Sequence, residues 1–139
     1  MNVLRDTHRA LSAGGFLLDF HPIAPPWPRV VAHGEELGEL REEQFLDDLR
    51  ATEAGMRETV RLGLFERVAG RTHEIVEHYE DPDEVLAAWS NGDEEWMSAG
   101  LERRLRSMTG PVDVVERVVF HLYRRIDAYE AETPAKRPA

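Results

Sequence analysis

The sequence contains no cysteine. That excludes a disulfide framework, a thiolate nucleophile and any zinc site built on sulfur. Long apolar runs are missing as well: stretches such as Phe16–Leu18 and Val118–Phe120 are far too short to span a bilayer. Basic residues are outnumbered, 17 Lys and Arg against 27 Asp and Glu, for a formal net charge of −10. Such a field repels phosphate backbones and anionic lipid, which speaks against nucleic-acid and membrane-surface binding. A signal-peptide pattern is lacking at the amino terminus, where Arg5, Asp6 and Arg9 interrupt any apolar run. A cytoplasmic location is therefore expected. Internal repeats and low-complexity blocks are absent too.

What is present suits a globular chain. Hydrophobic residues make up 42% and charged residues 32% of 139 positions. A chain of this size buries roughly 68% of its unfolded surface, enough for a core without staples. One domain over residues 1–130 is expected. The tail Ala131–Ala139, with two prolines and nothing large to bury, reads as disordered.

Leu4, His8 and Leu11 follow helical spacing, and Gly14-Gly15 supplies the backbone that ends a helix over about Asn2–Ser12. Phe16–His21 reads as a strand, apolar at successive positions and so suited to cover on both faces. Four prolines among residues 22–28 make a stiff connector carrying Trp27. Arg29–His33 and Gly38–Arg41 look like hairpin arms around His33–Gly38. The stripe Phe45, Leu49, Thr52, Met56 and Val60 predicts a helix over Glu43–Leu62, stopped by Gly63. Leu64–Tyr79 reads as strand, turn, strand, bent at Gly70-Arg71. Asp81-Pro82-Asp83-Glu84 is a helix start, with Asp81 as cap, Pro82 in the first turn and Glu84 at the capping-box position. That helix should end at Asn91-Gly92, and another should run from Asp93 through Trp96, Leu101 and Leu105 to Gly110-Pro111. Val112–Ile126, apolar on both sides, reads as a central strand.

The stretch Leu4–Pro22 (LRDTHRALSAGGFLLDFHP) resembles a segment of class I S-adenosylmethionine-dependent methyltransferases, through Leu4, Arg9, Leu11, Gly14, Gly15, Leu17 and Leu18. In that family a helix ends in a Gly-Gly turn and enters the fifth strand of a seven-stranded doubly wound sheet. The resemblance covers about Asn2–Arg125 and only the carboxyl half of the family fold. It implies an α/β, three-layer remnant of that sheet (strands 5, 7 and 6), with a β-hairpin and four helices. The match is incomplete where the cofactor is concerned. The family binds S-adenosylmethionine on a Gly-rich loop after its first strand, and no G-x-G-x-x-G occurs anywhere in this chain. The expectation is a methyltransferase-like protein with no cofactor in this chain, serving as a non-catalytic oligomeric or small-molecule-binding module. S-adenosylmethionine would enter only if an upstream half were supplied. In that case the chain would be one part of a working methyltransferase acting on a small molecule, with residues 29–62 shaping the substrate side.

In the family sheet, strand five lies between strands four and seven. Without strand four, Phe16–His21 would present an unpaired apolar edge, a template for pairing. A homo-oligomer, or a partner chain, is expected at that edge. The first helix or the hairpin folding back over it is the alternative.

Candidate chemistry gathers at the strand ends, because open α/β sheets bind ligands outside the carboxyl ends of parallel strands. Asp19, His21, His78 and Tyr79, with Trp27 beside them, form a candidate substrate-binding rim, and a small hydrolase or isomerase built on it is a third reading. The alternative is that Asp19 and His21 cap backbone groups and that His78 and Tyr79 are half-buried sheet residues. His73-Glu74-Ile75-Val76-Glu77-His78 is not a zinc helix motif, since its histidines are five apart and the segment reads as a strand. No metal is expected. No G-x-S-x-G turn supports a serine nucleophile, so no catalytic residue is assigned. His8 and His121 read as packed histidines, Trp89 and Trp96 as core anchors or as an aromatic lid. Arg103, Arg104 and Arg106 balance nearby acids.

Overall fold

The computed structural model describes residues 2–90 and 95–127. The expected disordered tail, the helix end at Asn91-Gly92 and the helix start at Asp93 lie outside the described residues. The fold is mixed α/β. Its elements are α1 (Asn2–Ala10), β1 (Phe16–Pro22), β2 (Arg29–Ala32), β3 (Glu35–Glu39), α2 (Glu43–Arg61), β4 (Phe65–Tyr79), α3 (Pro82–Trp89), α4 (Ala99–Arg106) and β5 (Val112–Arg125).

The five strands form one open antiparallel sheet in the order β1-β5-β2-β3, with β4 also paired to β5. β5 is the central strand that its two apolar sides predict. Two backbone bonds fix β1 against β5: Arg125 N–H donates to the Gly15 carbonyl at 2.8 Å, and Ile23 N–H to the Arg117 carbonyl at 2.9 Å. Both bonds belong to a single register, so Leu18 stands opposite Leu122 and Phe20 opposite Phe120. The Phe20 and Phe120 rings lie 4.6 Å apart. β2 pairs with the start of β5, Val30 opposite Val114.

Several expected elements differ in outline. β4 is one continuous strand of 15 residues, with no bend at Gly70-Arg71. Gly70 is there for space: a Cβ at that position would stand 3.0 Å from His121 Cδ2 and closer still to the Arg67 guanidinium. The β2–β3 turn is tighter than expected. His33 and Gly34 alone make it, both at positive φ (51° and 73°), the geometry of a two-residue hairpin matched to strand twist. α4 begins after Ser98, whose hydroxyl accepts from Leu101 N–H at 3.2 Å, so Trp96 precedes the helix rather than riding on it. α3 starts as predicted, Asp81 accepting from Glu84 N–H at 3.0 Å.

Contacts divide the chain into two compact units. β1, α2, β4 and β5 each contribute residues to both. Among the described residues the first unit comprises 2–20, 48–71 and 120–127. Its core is Met56, Phe65 and Tyr123, with Leu4, Leu11, Leu17 and Leu64 packed around them. His8 belongs to this core, edge-on to Phe65 at 5.5 Å and bonded through Nε2 to the Ile126 carbonyl at 2.9 Å. The β1 entry depends on glycine twice. Gly14 sits at φ 72°, and a Cβ on Gly15 would meet the Ser12 carbonyl at 2.9 Å.

β1 is apolar on both sides, as read, but covered on one. Leu17 turns inward, whereas Phe16, Leu18 and Phe20 are 58%, 59% and 51% exposed. In this unit α1 and α2 supply the Leu4 and Met56 side of the core.

Among the described residues the second unit comprises 21–47, 72–90 and 95–119. Val30, Ala32, Leu40, Val112 and Val114 meet Val85 and Leu86 of α3 and Leu101 and Leu105 of α4. Gly38 lies under Leu101, whose Cδ1 would stand 3.3 Å from an added Cβ. Arg104 donates to the Leu37 carbonyl at 2.9 Å, and Arg106 pairs with Glu102 at 2.8 Å, the local balancing expected of Arg106.

Candidate functional site

The second unit brings together four aromatic rings and a set of titratable groups. The proline connector, with cis bonds before Pro25 and Pro26, delivers Trp27 into the interior at 6% exposure. Leu40 N–H donates to the Pro28 carbonyl at 2.8 Å and Arg41 N–H to the Trp96 carbonyl at 2.9 Å, which ties the connector and the Trp96 segment to the end of the hairpin. Trp96 is the hub. Its ring centroid lies 6.4 Å from Trp27, 5.1 Å from Phe45 and 5.4 Å from Trp89. Trp89 and Trp96 pack on the core, which fits the anchor reading of both better than the lid. The Arg41 guanidinium sits 5.6 Å over the Trp27 ring.

Beside these rings lie three hydrogen-bonded groups, Tyr79, Glu77 and Glu116. The Tyr79 hydroxyl donates to Glu77 Oε2 at 2.6 Å. Glu116, facing Glu77 from β5, has its pKa pushed up to about 7, first by burial, then by a hydrogen bond with Glu77 and by that neighbour's charge. Burial also raises the Tyr79 phenol, as does Glu77, while its hydrogen bond with the Trp89 indole pulls the other way. At neutral pH Glu116 is thus close to its midpoint of titration. Such a group can donate or accept a proton.

The candidate rim does not close into one site. His78 is at the surface, its side chain 79% exposed, and bonds Asp113 Oδ1 through Nδ1 at 2.6 Å. His21, by the β1–β5 register, stands opposite Val119. Six residues of β5 separate Val119 from Asp113, roughly 20 Å at a strand's rise, so the two imidazoles cannot share a ligand. Trp27 is linked to Tyr79 through Trp96 and Trp89. Asp19 belongs to the other unit. There it lines an apolar groove of about 480 Å³ between α1, β1 and α2, with Leu4, Leu17, Leu18, Thr52 and Met56. His73 and His78 lie on β4, five apart and so on opposite sides. Among the described residues no group of three or more His, Asp or Glu side chains gathers to hold a metal ion.

Sequence reasoning misses the Glu77–Glu116–Tyr79 cluster. Each residue sits in a stretch readable as strand, but only the β4–β5 pairing makes neighbours of Glu77 and Glu116.

No protein-family model, curated protein or solved structure matches the chain. Function therefore has to be argued from its own residues. No helix among the described residues is long and apolar enough to cross a membrane.

Proposed function

We propose that this chain is a methyltransferase-like module, related in layout to the carboxyl half of a class I S-adenosylmethionine-dependent methyltransferase, that works by association rather than by methyl transfer. The observation that carries the reading is the order β1-β5-β4, in which β5 runs antiparallel to a strand on each side. That is the order expected of strands 5, 7 and 6, entered from a helix and a Gly14-Gly15 turn. The absence of a G-x-G-x-x-G in the sequence argues against a cofactor site of its own. The exposed Phe16, Leu18 and Phe20 argue for a partner at β1. Isothermal titration with S-adenosylmethionine tests the first half of the proposal: no binding heat is expected, and saturable binding by the chain alone would overturn it.

The same open side of β1 favours one alternative, a chain that supplies half of a working small-molecule methyltransferase. A coding sequence upstream, in frame and bearing a glycine-rich loop, would decide for it.

A further inference from the structure

The open edges of the sheet differ in chemistry. β3 carries Glu35, Glu36 and Glu39, and β4 carries Glu66, Arg67, Arg71 and Glu74. Charge of this kind keeps a free edge from recruiting another strand. β1 has no such protection: Phe16, Leu17, Leu18 and Phe20 surround a single charge, Asp19. Its backbone is also poised. Gly15 and Ile23 bond to β5, so by alternation the N–H and C=O groups of Phe16, Leu18 and Phe20 point to the open side.

Resting on the reading of β1 as an association edge, we propose that its occupant is β1 of a second copy, paired antiparallel about a two-fold axis centred on Leu18. Centring decides the register. About Leu18, Phe16 faces Phe20 of the partner subunit and Leu18 faces its counterpart, so all three outward-facing residues exchange both backbone bonds. Asp19 then stands opposite Leu17 of the partner subunit. Centring on Asp19 sets two carboxylates directly opposite, which destabilises a pair, and brings in Pro22, which has no N–H to give. Centring on Leu17 sets Phe20 against the Gly14 turn. Only the first register uses the whole strand, and it places the exposed aromatic rings of the two copies side by side on one face.

The contact is small, below the roughly 1,200 Å² of stable interfaces, so association in the micromolar range is expected. With −10 on each copy, added salt should strengthen it.

A chain without cysteine makes the register directly testable. Leu18→Cys places two thiols at a two-fold pair whose Cα separation of about 5.5 Å suits a disulfide. Mild oxidation should give a covalent dimer in high yield, whereas Val76→Cys, exposed on β4, should give none. Sedimentation of the unmodified chain should show mass rising with concentration, and Leu18→Lys should remain monomeric with an unchanged circular dichroism spectrum. A monomer at all concentrations would overturn the proposal. So would equal cross-linking at positions 18 and 76, or undiminished dimerisation of the lysine variant. S-adenosylmethionine binding by a chain that dimerises would leave this inference standing and remove the functional reading alone.

Discussion

Glu116 is the group through which pH should act most directly on the stability of this chain. Its ordinary value of 4.5 is pushed up to about 7 in the folded chain by burial and by Glu77. A raised carboxyl pKa means that the folded state prefers the protonated form. Below pH 4.5 both folded and unfolded chains hold the proton, and Glu116 costs nothing. Between 4.5 and 7 the unfolded chain ionises first, and stability falls as pH rises. Above 7 the cost is complete. The full shift would correspond to about 3 kcal/mol, but Glu116 is only partly buried, and water screens the interaction to about 1 kcal/mol. Glu116→Gln keeps the shape and removes the charge. It should gain about 1 kcal/mol over the unmodified chain at pH 8, a rise of about 4 °C in melting temperature. At pH 4.5 it should gain almost nothing. Urea denaturation at both pH values measures this, and Glu77→Gln should reproduce only the smaller part of the gain, because burial is the larger cause of the shift and stays. The reasoning fails if Glu116→Gln changes stability equally at both pH values, or if it destabilises the chain at pH 8.

Other substitutions probe the packing and the candidate rim. Leu105→Ala removes a fully buried side chain from the α4 core and should cost about 3 kcal/mol in urea denaturation; a loss below about 1 kcal/mol would mean that this core repacks freely. Asp81→Ala strips the α3 cap and should cost about 1 kcal/mol, with Asp81→Asn restoring most of it. His78→Ala breaks a pair exposed to solvent and should shift stability by less than roughly 0.5 kcal/mol, whereas a large loss would show that the His78–Asp113 bond is structural.

Local chemistry makes many elements legible. α2 follows from its stripe, and Leu49 and Met56 are indeed buried, although Val60 at its end is 40% exposed. α3 follows from Asp81 and Pro82, and β5 from apolar residues on both sides. What misleads is glycine. At Gly63 a positive φ of 72° ends a helix, as read, but Gly70 has the same letter for another reason, the close approach of His121 and Arg67 from its surroundings in the sheet. Nothing local separates a glycine that turns the chain from one that leaves room for a neighbour. The sequence places the His33-Gly34 turn but draws it too wide, because Glu35 and Glu36 read as loop residues when they are in fact edge-strand residues.

The same distinction between local and paired information explains the candidate site. Grouping Asp19, His21, His78 and Tyr79 assumes that strand ends align, yet register rather than strand order decides which ends meet. β5 carries β1 and β4 at different stations, and this stagger separates His21 from His78. It is the β4–β5 register that sets Glu77 against Glu116, and no spacing within either strand signals that meeting. β1 is the instructive case between these limits. Its apolar run announces a strand that wants cover on both sides, while the burial of Leu17 and the exposure of Leu18 show that α1 and α2 provide it on one side only. Among the described residues the outer edge of β1 carries none of the charge that β3 and β4 place on theirs, and the proposed pairing with a second copy rests on that contrast.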